Sequence, residues 1–120
     1  MTQKRVLLVD DEISSAEVLS LVLTTEGYAV TMASDGRQAL ARLDEAAPDL
    51  VITDFMMPMV NGAELVRTLR GIPAYAQLPI ILMSGAPESA LQPYGIRYQA
   101  FLRKPFNLDE FLGAIRSALG

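Results

Sequence analysis

Four short pieces of this chain, Asp10-Asp11, Asp54, Ser84 and Lys104-Pro105, combine residue types that a single reaction could use. Three carboxylates, a hydroxyl and an ammonium suit a divalent cation and a phosphoryl group. Magnesium prefers hard oxygen ligands, keeps several waters and commonly takes one or two carboxylates; manganese could substitute for it. Asp11 and Asp54 could ligate the ion directly, and Asp10 could hold a metal-bound water. A backbone carbonyl just after Asp54, that of Met56, could complete the shell. A carboxylate such as Asp54 can also act as a nucleophile and become an aspartyl phosphate. Phosphoryl transfer needs in-line positioning and neutralisation of the equatorial oxygens. Lys104 and the ion would supply that charge, and Ser84 would donate a hydrogen bond to one phosphoryl oxygen. Only Lys4 accompanies Lys104 among the lysines, so an ammonium next to Pro105 stands out.

Each piece alone has a plainer reading. Aspartates that end strands are commonly turn formers or helix caps. A serine before glycine is most often a loop residue, and a lysine a solvated strand end. The joint site gains its weight from position, because every piece ends a short apolar run: 6–9, 50–52, 80–83 and 101–102. Runs of that length between helical patterns read as buried parallel strands. Parallel strands gather their carboxyl ends on one edge of a sheet, where open α/β folds bind ligands.

The pattern is strand then helix, five times over. Ile13, Ala16, Leu19, Val22 and Leu23 recur at helical spacing before Glu26-Gly27. A second strand is expected over 28–33, then Ser34-Asp35-Gly36 and a helix carrying Ala39, Leu40 and Leu43, closed by Ala47-Pro48. The third strand is expected over 50–53. Asn61-Gly62-Ala63-Glu64 and Asn107-Leu108-Asp109-Glu110 both resemble capping boxes. The first opens a helix with Leu65, Val66 and Leu69, stopped by Gly71-Ile72-Pro73. The second opens a final helix expected to bury Leu108, Phe111, Leu112, Ile115 and Leu119. Between Ser84 and Ala100, Pro87 and Pro93 leave room for one or two mobile helical turns. Met56, Met57 and Met59 read as core and loop filling, and the Arg37/Arg42 and Arg67/Arg70 pairs as solvated helix faces. Unbroken βα alternation predicts an α/β fold with a parallel sheet covered on both faces.

The composition removes several function classes. Residues 1–120 are expected to form one domain, with 51% hydrophobic residues and a net charge of -4. That balance argues against nucleic-acid binding by this domain. Without cysteine or histidine, thiolate chemistry and the usual general base are absent. Four apolar residues before Asp10 are too few for a signal-peptide core or membrane span, so no membrane role is expected and a cytoplasmic location is the default. No Gly-x-Gly-x-x-Gly or Walker-type motif suggests a nucleotide. Asp54-Phe55-Met56 lacks the second acid of an aspartyl-nucleophile phosphatase, which argues against turnover of a small molecule.

Taken together, Val9-Asp10-Asp11-Glu12, Asp54-Phe55-Met56-Met57-Pro58 with Asn61-Gly62, Met83-Ser84-Gly85 and Lys104-Pro105-Phe106 resemble a response-regulator receiver domain of two-component signalling. The resemblance covers nearly the whole chain. It implies a (βα)5 doubly wound five-stranded parallel sheet, a CheY-like three-layer sandwich with a flavodoxin-like strand order. It implies that Asp54 is the phosphoacceptor for a sensor histidine kinase or phosphotransfer protein, in a Mg2+-dependent reaction with limited autophosphorylation and autodephosphorylation. Asp10 and Asp11 would form the acidic pocket, Ser84 the switch hydroxyl, and Lys104 would precede a cis Pro105. Phe101 falls where the family keeps a rotating switch aromatic. Changes in the fourth and fifth strands and the last two helices would control a downstream protein, an output domain or a homodimer.

Three departures from the family pattern stand out. Phe101 lacks the hydroxyl of the usual tyrosine, Ser84 replaces the commoner threonine, and Met56 places an apolar side chain two residues past Asp54. The competing expectation is a phosphorylation-independent dimerisation or protein-interaction module that retains the pocket.

Overall fold

The computed structural model describes residues 3–57 and 61–120. Pro58, the last residue of the expected Asp54-Phe55-Met56-Met57-Pro58 motif, and Met59, the last of the three methionines read as core and loop filling, lie outside the described residues. Five strands, β1 (Arg5–Val9), β2 (Ala29–Ala33), β3 (Leu50–Asp54), β4 (Ile80–Ser84) and β5 (Ala100–Arg103), form one sheet in the order β2-β1-β3-β4-β5. All neighbours are parallel. The helices are α1 (Ile13–Thr25), α2 (Gly36–Ala41), α3 (Leu43–Ala46), α4 (Gly62–Arg70) and α5 (Leu108–Leu119). Two 3-10 segments, Pro73–Tyr75 and Glu88–Tyr94, complete the layers.

Strand residues alternate between two cores, as the two-residue period requires. Leu7, Val9, Val51, Ile80 and Leu82 face one side with Ala39, Leu43, Leu65, Val66, Leu69 and Leu91. Val6, Leu8, Leu50, Ile52, Ile81 and Met83 face the other with Ala16, Leu19, Leu23, Phe111 and Ile115. α1 and α5 therefore cover one face, while α2 to α4 and the 3-10 segment Glu88–Tyr94 cover the other. Burying each such Leu, Ile or Val stabilises the fold by about 1.5–3 kcal/mol before chain entropy is counted.

Caps set the helix starts. Asp35 Oδ1 accepts from Gln38 N at 2.8 Å, and Asn61 Oδ1 from Glu64 N at 3.0 Å. At α5 the full reciprocal box forms, with Asn107 Oδ1 accepting from Glu110 N at 2.8 Å and Glu110 Oε1 from Asn107 N at 3.3 Å. The box expected at Asn61 is half made: among the described residues Glu64 returns no bond.

Several expectations need correction. β2 begins at Ala29, because Tyr28 N is still bonded to Leu23 O at the end of α1. β3 runs through Asp54, one residue beyond the expected end. The helix expected across 36–47 is two pieces parted at Arg42, and α3 ends where Ala47 takes a left-handed conformation before Pro48. Ile13 and Leu108 are exposed, each being the first residue of its helix and so outside the packed turns. Met56 is exposed at 70%, while Met57 is buried as expected.

Arg67 and Arg70 do more than solvate a face. Arg67 Nη2 donates to Tyr94 O at 2.8 Å. Arg70 donates to Leu78 O at 2.7 Å and to Arg97 O at 3.0 Å, closing carbonyls that the irregular segments leave open. Arg42 likewise donates to the Met32 carbonyl, while Arg37 is exposed as expected. The segment between β4 and β5 is the short helical stretch that the prolines predicted. It is a 3-10 helix with Pro93 inside, ending at Gly95 with φ +60°.

Candidate functional site

The parallel register brings the carboxyl ends of β1, β3, β4 and β5 to one edge. Asp10 follows Val9, Asp54 and Ser84 end their strands, and Lys104 follows Arg103. Asp54 pairs with Met83 and Ser84 with Arg103, so the site residues lie on adjacent strands at nearly one level.

Asp10, Asp54 and Ser84 are buried, with 2%, 4% and 3% exposure, whereas Asp11 is exposed. Asp10, Asp11 and Asp54 each offer a carboxylate oxygen within 4.8 Å of the others. Lys104 Nζ lies 2.6 Å from Asp54 Oδ1, and the Lys104-Pro105 bond is cis, as the resemblance implied. Asp10 Oδ1 accepts from Glu12 N at 2.9 Å, which leaves Asp10 Oδ2 as the one buried side-chain polar atom without a partner among the described residues.

Such crowding shifts protonation. Burial first, then the adjoining Asp10, pushes the Asp54 carboxyl from 3.8 up to about 7 against the pull of Lys104. Burial works against the Lys104 ammonium, but hydrogen bonding and charge from Asp54, with Asp10 and Glu12 behind it, hold it above its ordinary value. A buried carboxylate cluster with a raised pKa and an unpaired oxygen lacks positive charge. The donor set is all hard oxygen, and the orphaned Asp10 Oδ2 faces an uncompensated burial cost, so the residues present fit a divalent cation such as Mg2+.

The loop after β3 is held by its backbone. Phe55 N donates to Met83 O at 2.8 Å and Gly62 N to Phe55 O at 2.8 Å. A Cβ on Gly62 would lie 2.7 Å from Phe55 Cα and 2.8 Å from Asp54 O, so this close approach requires glycine. Met56 sits in that loop with its side chain in solvent, leaving the backbone as its means of contribution. Ser84 Oγ accepts from Ala86 N at 3.1 Å, folding the start of the next segment over itself. Phe101 on β5, half-buried, pairs with Leu82 on β4 and packs against the core that contains Leu91.

Two features went unread in the sequence. An open groove of about 600 Å³ adjoins the site, lined by Glu12, Ser15, Val18, Lys104, Pro105 and Phe106 among others. Val18 and Leu21 on α1 are exposed at 59% and 68%. Periodicity could not single them out, because α1 is apolar on nearly every side. The second feature is Tyr94, whose ring meets that of Phe55 edge-on at 5.0 Å between centroids, with the Arg67 guanidinium 5.8 Å from the Tyr94 ring.

Comparison with known proteins agrees with this geometry. The family model described as response regulator receiver domain matches residues 6–116. The chain is 35% identical over 119 residues to the DNA-binding response regulator MtrA of Mycobacterium tuberculosis, covering 98% of this chain and 51% of that protein. It is 37% identical over 117 residues to the response regulator MprA of Mycolicibacterium vanbaalenii, covering 96% and 50%. The chain thus spans about half the length of these curated relatives. Chemotaxis protein CheY4 of Vibrio cholerae superposes with a TM-score of 0.91 at 33% identity, over 98% of this chain and 99% of that one. No helix among the described residues is long and apolar enough to cross a membrane. Sheet order, acidic edge, whole-length likeness and family model converge, and the chain belongs to the response regulator receiver family, whose members are signalling switches rather than conventional enzymes.

Proposed function

We propose that residues 1–120 act as one receiver domain in which Asp54 accepts a phosphoryl group from a histidine kinase or phosphotransfer protein. The observation that carries this reading is the Asp54–Lys104 pair, 2.6 Å apart in a three-carboxylate cluster of which Asp10 and Asp54 are buried. Asp54 Oδ attacks phosphorus, and the bond from phosphorus to the donor's imidazole nitrogen breaks in line with that attack. The electron pair leaves with the imidazole, and the phosphoryl group ends as an aspartyl phosphate. Lys104 holds one developing negative charge, and Ser84 turns to donate to a phosphoryl oxygen. Asp11, Asp54 and the Met56 carbonyl would hold Mg2+ or Mn2+ directly and Asp10 through a water. The ion would neutralise charge on the transferring group. The same pocket supports slow autophosphorylation from small donors and slow hydrolysis of the product.

The readout is the sheet edge formed by β4 and β5 together with the 3-10 segment Glu88–Tyr94 and α5. Ser84 moving toward the phosphoryl group vacates space that the Phe101 ring can enter. Downstream, this face meets a partner protein, an output domain or a second copy of the chain. The domain works in the cytoplasm, without membrane or direct nucleic-acid contact.

Intact mass after incubation with acetyl phosphate and Mg2+ tests the reading, with Asp54→Asn alongside. One added phosphoryl group is expected on the parent protein only, and only with the ion. No addition, together with no spectral response to beryllofluoride, would overturn it in favour of a phosphorylation-independent interaction module.

A further inference from the structure

We propose that Tyr94 is a latch, seated on Phe55 and tied to Arg67, that couples occupancy of the Asp54 pocket to the 3-10 segment Glu88–Tyr94. The coupling rests on the phosphoacceptor reading of that pocket.

The segment is sparsely held. Of its residues only Leu91 is buried, at 2% exposure, so its place depends on contacts at its two ends. At the start, Ser84 Oγ accepts from Ala86 N at 3.1 Å, and the Tyr98 hydroxyl donates to Glu88 Oε2 at 2.7 Å. At the finish, the Tyr94 ring stands edge-on to Phe55 at 5.0 Å and its carbonyl accepts from Arg67 Nη2 at 2.8 Å. The Arg67 guanidinium also lies over the ring. An edge-to-face ring pair adds attraction beyond the area it buries, and so does a cation held over a ring face.

Phe55 is the residue after Asp54, and it cannot turn freely. Its N–H is bonded to Met83 O, its carbonyl to Gly62 N, and Gly62 packs against its Cα. The ring is therefore a fixed seat whose position follows the pocket backbone. The opposite end of the segment hangs on Ser84. When Ser84 Oγ swings toward an occupant of the pocket, it leaves Ala86 N and one of the tethers is lost. Occupancy and the latched state thus compete, and the latch holds the segment in its unoccupied arrangement. Linkage makes the effect reciprocal: whatever breaks the latch must favour occupancy.

The probe is Mg2+ with beryllofluoride, titrated calorimetrically into the parent protein, Tyr94→Ala and Arg67→Met. Hydrogen exchange of amides 88–97 is followed in the same samples. Both side chains are exposed, so the fold tolerates their loss. Each variant is expected to bind the probe about 5-fold more tightly, near the low end of ordinary coupling. In the parent, exchange across 88–97 is expected to quicken on binding; in the variants it is already quick and changes little. A purely structural role would quicken exchange without moving the affinity. Tight binding with parent and variant affinities within about twofold, or with unresponsive amides in the parent, would overturn the latch alone. Failure of the parent to bind the probe would overturn the latch and the phosphoacceptor reading together.

Discussion

Lys104 Nζ touches Asp54 Oδ1 at 2.6 Å, yet the carboxyl it touches is still pushed up to about 7. One ammonium does not offset burial and a second carboxylate. The pocket is therefore short of positive charge, and its behaviour with ions and protons follows from that deficit.

Removing the ammonium should uncouple ion binding from transfer. Lys104→Gln is expected to slow phosphorylation by acetyl phosphate about 100-fold, the usual effect of losing one charged donor from a transition state. Mg2+ binding should persist, since the carboxylates remain. A mass time course alongside an ion titration separates the two; a variant that keeps the parental rate would show that Lys104 is a structural partner.

Asp54→Asn should stabilise the ion-free protein, and more so at higher pH. The folded state holds the Asp54 proton more tightly than the unfolded chain does, with a pKa of about 7 against 3.8. The stability tied to this carboxyl is fully present below 3.8 and is lost as pH rises through about 7. Asparagine carries no such loss. The Tm of the variant is expected to exceed the parent's by a few degrees at pH 8, with the gap shrinking towards pH 5. A variant that melts lower at pH 8 would make Asp54 a structural residue.

Protons and Mg2+ should compete for the same oxygens. Affinity for the ion is expected to fall by about tenfold for each pH unit below 6, one proton being displaced per ion. Calorimetry in buffers of different ionisation enthalpy counts that proton directly. A pH-independent affinity would place the ion elsewhere.

Gly62→Ala is expected to cost about 1–3 kcal/mol and to slow phosphorylation, because the added carbon meets backbone that cannot yield. Gly85→Ala is the control, since its Cβ meets nothing within 4 Å. Urea denaturation of both, read against the parent midpoint, decides the comparison.

The sequence made the sheet and its acidic edge readable because apolar runs and site residues coincide: Val6 to Val9 leads to Asp10, and Ile80 to Met83 leads to Ser84. The caps at Asn61 and Asn107 were legible for the same local reason. What stayed hidden depended on distance through space. Nothing near Arg67 in the chain announces Tyr94, and nothing near Arg70 announces the carbonyls of Leu78 and Arg97. Ile13 and Leu108 misled because apolar spacing marks a helical stripe without saying where the packed turns begin.

Strand order also divides the site by durability. β1 and β3, which present the acids, are each paired on both sides, whereas β5, which delivers Lys104, is bonded only to β4. Peripheral strands fray at lower free energy than central ones. Under mild denaturing stress the molecule would therefore surrender its cation before its carboxylates, and grip on an ion would outlast the capacity to receive a phosphoryl group. Competence to signal would fail first, in a chain that still looks folded to any probe of its acidic edge.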